Sequence, residues 1–192
     1  MATPTPKREA VQAAVLEATE ALLAEGASFA DLGIERIATR AGISRTAFYF
    51  YFRDKRELLI RLAEAVTEVL YAEADVWFTG TGDDREQMRA ALRKIGGLYD
   101  EHGPLLRAIV EVSTYDEEVA TFWRGLLGRF VDASRARLER EGHGEGAHAR
   151  AFALVWMTER SFYQHLVQEP AFSRDDLVEA FVDVWQASAY RS

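Results

Sequence analysis

The chain has 192 residues, of which 48% are hydrophobic and none is cysteine, and its formal net charge at pH 7 is −8. Its length and apolar content suffice for one large packed domain or two small ones, and the lack of cysteine excludes disulfide bonds, thiolate zinc sites and a cysteine nucleophile. No apolar run approaches the roughly 20 residues of a membrane span, and the N-terminal residues MATPTPKREA contain no signal sequence, so we expect a cytoplasmic protein without a membrane partner.

The first helix is predicted from about residue 7 to residue 25. Its apolar side chains recur at helical spacing and therefore share one face. Gly26 is the residue type that commonly ends a helix. The apolar face consists of Val11, Ala14, Val15, Ala18 and Leu22.

Two short helices are predicted on either side of Gly42, which can adopt the left-handed backbone geometry of a tight turn. Gly33 stands at the N-cap of the first, and Ala38 is small enough to let its neighbour approach closely. Ser44 is a suitable N-cap for the second. Two short helices joined by such a turn form a helix-turn-helix, whose second helix fits the major groove of DNA.

This second short helix, the third of the chain, is predicted to continue to Phe52. Phe48 and Phe52 are four residues apart, so they share a face and should point into the small domain. The residues then left on the outer side are Arg45, Thr46, Ala47 and Tyr49.

The rest of the chain is also predicted to be helical. Asp54 caps a longer fourth helix from about Lys55, and the segment TGTGDD at 79–84 is the clearest linker. Five more helices are expected at about 84–101, 104–113, 116–141, 147–168 and 174–190, with turns at 142–146 and 169–173. No segment alternates apolar and polar residues as a strand would, so the predicted fold class is all-α.

Charge is unevenly distributed along the chain. Residues 1 to 56 carry eight Lys or Arg and seven Asp or Glu, a net charge of +1, whereas the remainder carries 15 and 24, a net charge of −9. DNA binding depends on cationic side chains that displace counterions from phosphates. The sequence therefore predicts a local basic surface on an acidic body. Its six members are Arg36, Arg40, Arg45, Arg53, Lys55 and Arg56.

The segment IERIATRAGISRTAFYFYFRDKREL resembles the DNA-binding segment of the TetR family of bacterial transcriptional repressors. Ala47 and Tyr51 depart from the family's pattern, which commonly has threonine and histidine there, at two positions that border DNA. The resemblance implies a DNA-binding repressor. The matching residues are Ile34, Ile37-Ala38, Ala41-Gly42-Ile43-Ser44, Phe48-Tyr49, Phe52 and Lys55.

Six side chains are predicted to contact double-stranded DNA. Arg45, Thr46 and Ala47 are expected to meet base edges, because arginine can pair with guanine through two hydrogen bonds and small groups can contact the thymine methyl. Lys55 starts a helix, where free backbone amides favour a phosphate. The residues expected to bind phosphates and set the register are Tyr49, Tyr51 and Lys55.

A homodimer is expected because one recognition helix covers only a few base pairs of a palindromic operator. The last two helices contain FALVWMTERSFYQHL and LVEAFVDVWQASAY, which carry apolar residues on more than one face. Helices packed between their own domain and a partner have this pattern. They are the predicted dimer interface; burial inside a monomer is the alternative.

The C-terminal part is similar to the ethionamide-resistance regulator subgroup of mycobacteria, which binds elongated apolar ligands in an aromatic-lined tunnel. The similar segments include EEVATFW, MTERSFY and DVWQASAY. The resemblance implies a small apolar effector that contacts Trp123, Phe130, Met157, Thr158 and Trp185, and the apolar stripe of helix 116–141 adds Phe122.

The apolar stripe on its own also fits an ordinary closed core. Val155 and Thr158 stand where the subgroup has amide side chains, and Arg89 where it has an aromatic. The pair Glu159-Arg160 inside an apolar helix is either a polar network in or beside the cavity or an ion pair at a surface or interface.

Two other classes of function remain open at this point. A helical small-molecule sensor or carrier without DNA activity accounts for the aromatic body but not for the basic cluster. An enzyme would need a polar group facing the cavity, with Glu159, Arg160 and Tyr163 as candidates.

No catalytic residue, metal site or cofactor is predicted. The four histidines lack metal-ligand spacing, and GTG at 80–82 has no flanking strand. Asp83-Asp84 and Asp175-Asp176 are interpreted as negative charge at helix starts.

The expected organisation is a helix-turn-helix DNA-binding domain at residues 1–56 and a larger helical domain for effector binding and dimerisation at residues 57–192. The fourth helix belongs to both, so we expect it to transmit effector binding to the DNA-binding surface.

Overall fold

A computed structural model of the chain describes residues 6–81 and 85–190, and those residues form nine α-helices and no strand. A 3-10 turn (Gly144–Gly146) precedes the eighth helix, and a π-helical turn (Tyr163–Gln168) follows it. The predicted all-α fold class is confirmed. The helices are α1 (Pro6–Ala24), α2 (Ile34–Arg40), α3 (Arg45–Phe48), α4 (Lys55–Thr79), α5 (Arg85–Glu101), α6 (Gly103–Val112), α7 (Glu117–Arg140), α8 (Ala147–Phe162) and α9 (Arg174–Ala189).

Helix boundaries in the N-terminal part follow the predicted caps. Ser44 Oγ accepts a hydrogen bond from the Ala47 N–H at 3.1 Å, and the Asp54 carboxylate accepts one from the Glu57 N–H at 2.8 Å. Gly42 has φ +72°, the left-handed region in which glycine pays no steric penalty. The interpretation of Asp83 and Asp84 as helix-start charges falls outside the described residues.

The third helix is shorter than expected. Only four residues, Arg45–Phe48, are α-helical, and the chain continues as a turn through Tyr51. The Phe50 N–H bonds to the Ala47 carbonyl at 3.1 Å and the Tyr51 N–H to the Phe48 carbonyl at 2.9 Å. These bonds span three residues rather than four and tighten the last turn, which directs the chain towards Asp54 and the start of α4.

The N-terminal core forms where α1, α2, α3 and the start of α4 meet. Phe48 and Phe52 point into it, as predicted, with ring centroids 5.4 Å apart. Apolar side chains from each element surround the two rings and are equally inaccessible to solvent. They include Val15, Ile37, Leu58 and Leu59.

α4 is a single helix of 25 residues, roughly 37 Å long at 1.5 Å per residue. Its first turns belong to the N-terminal core, while its last turns pack with α5 and α7. α8 lies along α7, and α9 packs on α5. Within residues 6–81 and 85–190 no helix is both long enough and apolar enough to cross a membrane.

Candidate functional site

The outer face of α3 is open to solvent. Arg45, Thr46 and Tyr49 are exposed and Ala47 is half-buried. Among the described residues, none forms an ion pair or hydrogen bond with the Arg45 guanidinium. Because Phe48 anchors α3 from inside, these side chains are held on a rigid support while their polar ends stay available.

The two tyrosines of this segment are placed differently. Tyr49 is 48% exposed, with its ring edge-to-face on Phe48 at 5.6 Å. Tyr51 is half-buried beside α1, where the Arg8 guanidinium lies 5.6 Å from its ring centroid. The six residues predicted to contact DNA therefore do not form one uniform row.

Phe50 was not singled out by the sequence, yet it is 71% exposed beside Tyr49. It lies two positions from both buried phenylalanines, which is about 200° around a helix axis. That spacing was the available signal, because it places Phe50 opposite Phe48 and Phe52. An exposed aromatic ring directly after Tyr49 in the chain adds apolar contact area to the candidate DNA-binding surface.

Lys55 is turned towards the protein rather than towards solvent. Its Nζ donates to the carbonyls of Phe29 at 2.7 Å and Ala30 at 2.9 Å, and it lies 4.9 Å from the Phe29 ring centroid. Desolvation lowers the pKa of its ammonium group. Binding of a phosphate by Lys55 stays a prediction, and it requires release of these carbonyl contacts.

Three arginines of the predicted basic surface also have internal partners. Arg40 donates to Glu25 at 3.3 Å, and Arg53 donates to Glu118 at 2.8 Å. Arg56 donates to Asp116 at 2.6 Å and to Glu118 at 2.7 Å. The count of basic residues in the sequence therefore overestimates the free positive charge, since only Arg36 and Arg45 of the six lie outside these contacts.

An ion-pair cluster joins the start of α4 to the start of α7 and consists of Arg53, Arg56, Asp116 and Glu118. Asp116 also caps α7 by accepting from the Glu118 and Val119 N–H groups, both at 3.1 Å. Burial alone would raise the pKa of Asp116, but the hydrogen bonds from Val119 and Arg56 hold it below its ordinary value. Hydrogen bonds from Arg53 and Arg56 likewise lower the pKa of Glu118.

A cavity of about 100 Å³ lies between α4, α5, α7, α8 and α9. It is bounded mainly by aromatic and aliphatic side chains, as small-molecule sites commonly are. The aromatic members of its wall are Trp77, Phe78, Tyr99, Trp123, Phe130, Phe162 and Trp185.

Four of the six predicted effector-binding residues line this cavity: Trp123, Phe130, Thr158 and Trp185. Phe122 and Met157 do not line it; both are half-buried and pack against the outside of the core. Each precedes a lining residue by one position, a rotation of about 100° around the helix. That rotation carries their side chains away from the cavity.

The α5 wall of the cavity was missed from the sequence. Met88, Leu92, Ile95 and Tyr99 line it from this helix. Their spacing of three or four residues was the available signal, because it places them on one face. On α5 the resemblance pointed only to Arg89, which donates to Glu179 and does not line the cavity.

The polar groups of the cavity fall into two sets. Trp185 Nε1 donates to Thr158 Oγ1 at 2.9 Å, and that hydroxyl donates to the Leu154 carbonyl at 2.8 Å. By contrast, Trp77 Nε1, Trp123 Nε1, Ser134 Oγ and both carboxylate oxygens of Glu159 find no hydrogen-bond partner among the described residues. Buried polar groups are seldom left in this condition.

Glu159 is 4% exposed and faces the cavity. Arg160 Nε lies 3.6 Å from its Oε2, within ion-pair range but beyond a hydrogen bond, and the arginine side chain is itself 47% exposed. Burial raises the pKa of the Glu159 carboxyl, while Arg160 opposes the rise. Of the two sequence interpretations of this pair, the structure supports a polar group inside the cavity.

The enzyme candidates do not converge on one point. Of Glu159, Arg160 and Tyr163, only Glu159 lines the cavity, and the Tyr163 hydroxyl accepts a hydrogen bond from Gln168 at 2.6 Å. The portion of the chain covered by the structure contains no group of three or more His, Asp or Glu residues that could hold a metal.

Comparison with known proteins relates both the helix-turn-helix segment and the helices around the cavity to one family. Residues 15–62 match the family model "Bacterial regulatory proteins, tetR family", and residues 88–191, more than half of the chain, match "Transcriptional regulator EthR, C-terminal domain". The HTH-type transcriptional regulator EthR of Mycolicibacterium smegmatis is 27% identical over 96% of this chain and 88% of its own length. EthR of Mycobacterium tuberculosis is 27% identical over 98% and 91%.

Solved structures share the fold. A TetR-family transcriptional regulator from Streptomyces coelicolor has a TM-score of 0.74 and 19% identity, covering 97% of this chain and 82% of that one. The fatty acid degradation regulator FadR from Bacillus halodurans has a TM-score of 0.69 and 13% identity, covering 96% and 97%. With the helix-turn-helix, the matched N-terminal model and the matched C-terminal model all in one chain, this protein belongs to the TetR family of bacterial transcriptional regulators and is of the EthR type.

Proposed function

We propose that this chain is a homodimeric repressor that binds a palindromic operator through α3 and leaves it when a small apolar effector occupies the cavity. The observation that carries this proposal is the continuity of α4. Its first turns place Leu58 and Leu59 in the core beneath α3, and its last turns place Trp77 and Phe78 in the cavity wall. One rigid helix thus contacts both the DNA-binding unit and the effector site.

In the proposed complex, Arg45, Thr46 and Ala47 of each protomer contact base edges. Tyr49, Tyr51 and Lys55 contact phosphates, and the Phe50 ring covers the sugar edge beside them. Two copies then occupy half-sites roughly 34 to 36 Å apart. Residues 1–56 and 57–192 remain our proposed domains, and binding to operator DNA places the protein in the cytoplasm.

The dimer proposal is supported by uncovered apolar stripes on the last two helices. α8 exposes Ala149, Phe152 and Ala153, and the Phe152 ring lies 5.9 Å from the half-buried Trp156. Phe152 is 53% exposed. On α9 a second stripe exposes Ala180, Val184 and Ala187 at helical spacing. A self-complementary contact between two copies would cover both stripes.

Coupling between the two sites follows from the same contacts. α7 forms one wall of the cavity, and its N-terminus holds Arg53 and Arg56 through the ion-pair cluster. An effector that separates α4 from α7 therefore changes the support of α3 as well. DNA and effector then oppose each other, each weakening the other by the same coupling free energy.

The proposal is tested by fluorescence anisotropy with DNA from the region flanking the protein's own gene, titrated with and without apolar compounds, alongside light scattering for the oligomeric state. We expect a dimer to bind this DNA in a sequence-dependent way that weakens as salt rises. At least one compound that binds the cavity should release the protein from the DNA. A sensor or carrier without DNA activity would bind the compound but not the DNA. A compound that binds equally well to free and DNA-bound protein would refute the coupling.

The dimer surface has its own test. Phe152→Glu places a charge in the uncovered stripe of α8 and should convert the dimer to a monomer with weaker operator binding. Ala136→Glu, at an exposed position on α7 outside both stripes, is the matched control. Equal sedimentation of both variants as dimers would place the interface elsewhere.

A further inference from the structure

The described part of the cavity wall contains an acidic side chain but no basic one. Among the described residues that line it, Glu159 is the only one with a carboxylate, and none is Lys, Arg or His. The walls contributed by α4, α7 and α9 contain no titratable side chain, and α5 contributes only Tyr99. An anionic ligand would thus meet no cation of the wall and one buried acid.

The Glu159 carboxylate is poorly compensated in the protein itself. Neither of its oxygens accepts a hydrogen bond from any described residue, although the group is almost fully buried. Arg160, its nearest cation, approaches from the solvent side at 3.6 Å and also lies 5.1 Å from the Tyr163 ring. A buried carboxylate is costly without hydrogen bonds, so a ligand that supplies N–H donors gains the interactions that the protein leaves unmade.

The remainder of the wall suits the same ligand. Aromatic faces attract a cation through their ring quadrupoles and also pack against an apolar body. Trp77 of α4 and Trp123 of α7 both line the cavity that Glu159 also lines. The volume of about 100 Å³ has room for roughly seven to ten water-sized groups, which corresponds to a small aryl or alkyl amine.

We propose that the effector carries a protonated amine that pairs with Glu159, while its apolar body packs against the aromatic wall of the cavity. This inference rests on the proposed effector site and specifies the class of ligand that it takes. A neutral hydrocarbon would leave Glu159 without a partner, and a fatty acid would add a second acid beside it.

Binding of such an amine is linked to pH. The Glu159 carboxyl must be ionised to pair with an ammonium group, and burial favours its protonated form. Affinity for the amine therefore rises with pH until Glu159 is ionised in the free protein, and binding below that pH releases a proton. Tyr99 and Arg160 are the other ionisable groups that interact with Glu159, and Tyr99 stays neutral because burial raises its pKa.

The test compares three probes of similar size by calorimetry with the full chain: 2-phenylethylamine, 2-phenylethanol and 3-phenylpropionate. We expect the amine to bind about tenfold to a hundredfold more tightly than the alcohol at neutral pH. Glu159→Gln should remove that preference while alcohol binding persists, which also shows that the variant is folded. Glu111→Gln, an exposed position on α6, should keep the preference.

Several outcomes would overturn the inference. Equal affinity for amine and alcohol, tighter binding of the carboxylate, or a preference that survives Glu159→Gln each refute the pairing. So does an amine affinity of the unmodified protein that falls or stays constant as pH rises. If the alcohol still binds, any of these results leaves the proposed effector site standing. If none of the three probes binds, the proposed effector site is refuted as well. Failure to bind DNA would overturn only the repressor proposal.

Discussion

The two ends of α4 lie in cores of opposite character. Around its first turns, Phe48, Phe52 and Leu58 are packed without access to solvent, and the local polar groups are used in caps and ion pairs. Around its last turns, large aromatic side chains enclose a cavity whose indole, hydroxyl and carboxylate groups lack partners. Within the described residues, no buried polar side-chain atom without a hydrogen bond lies before residue 77.

This difference separates two physical tasks. In our proposal the N-terminal unit presents Arg45, Thr46 and Ala47 to base edges, and such a unit gains from rigidity because recognition depends on fixed geometry. A unit that responds to an effector gains from incomplete packing and unmet hydrogen bonds, because the ligand then supplies interactions that differ between two states. Substitutions in the two cores should therefore change the free energy of unfolding in different directions.

The largest effect is expected for Phe48→Ala. It removes a fully buried ring that supports α3 from inside, and such truncations cost about 3–5 kcal/mol. Urea unfolding should show this loss, and operator binding should fail in the same variant. Phe50→Ala, two residues away and 71% exposed, is the control and should change stability by less than about 0.5 kcal/mol. Equal losses in both variants would contradict the inward orientation of Phe48.

In the cavity, Glu159→Leu is expected to increase stability, in contrast to Phe48→Ala. Replacing a buried carboxyl that lacks hydrogen bonds by an apolar side chain should raise the free energy of unfolding by about 1–3 kcal/mol at neutral pH. The pKa of Glu159 is raised in the folded state, so its cost appears as pH rises above the unfolded value of about 4.3. Urea unfolding at pH 4 and pH 7 should show the larger gain at pH 7.

Glu111→Gln serves as the control for that pair of measurements, because Glu111 is exposed. A loss of stability in Glu159→Leu, or a gain that is the same at both pH values, would show that the carboxylate is compensated in the protein.

A narrower effect is expected for Arg45→Ala on the DNA-binding face. Loss of one arginine contact to a guanine should reduce discrimination at a single base pair by about 1–3 kcal/mol. Competition binding with operator variants measures it. Arg40→Ala is the matched control, since Arg40 is engaged by Glu25 rather than directed at DNA. Equal losses on every operator variant would show that Arg45 contacts phosphates instead of bases.

The smallest effect on stability is expected for Glu118→Gln, which weakens the ion-pair cluster between the start of α4 and the start of α7. Glu118 is solvent-exposed, so its pairs should contribute little to the melting temperature. The variant should instead reduce the factor by which effector weakens operator binding, because contacts between the start of α4 and the start of α7 are weakened. Anisotropy titrations with and without effector measure this factor. An unchanged factor would show that this cluster takes no part in the coupling.

Local chemistry was sufficient to predict most of the helices and the orientation of the aromatic residues in α3. The caps at Ser44 and Asp54, the turn at Gly42 and the burial of Phe48 and Phe52 all depend on residues within a few positions of one another. The premature end of α3 was not predicted, because the turn after Phe48 depends on where α4 must begin.

The candidate site was predictable only in part. Trp123, Phe130, Thr158 and Trp185 were placed in the cavity wall by resemblance, but neighbouring Phe122 and Met157 lie outside it. A rotation of about 100° per residue separates lining from non-lining positions, and small errors in helix phase move a side chain across that boundary.

By itself, the sequence determined the helical class, the helix-turn-helix and the family, since these follow from periodicity, caps and a motif confined to a short segment. Only the tertiary structure decided which charges are free. Arg53, Lys55 and Arg56 reach partners that lie 25 to 65 residues away in the chain, so a local count treats them as available when folding has already engaged them. The lack of hydrogen-bond partners at Glu159 also depends on the tertiary structure, because the side chains around the cavity come from five different helices.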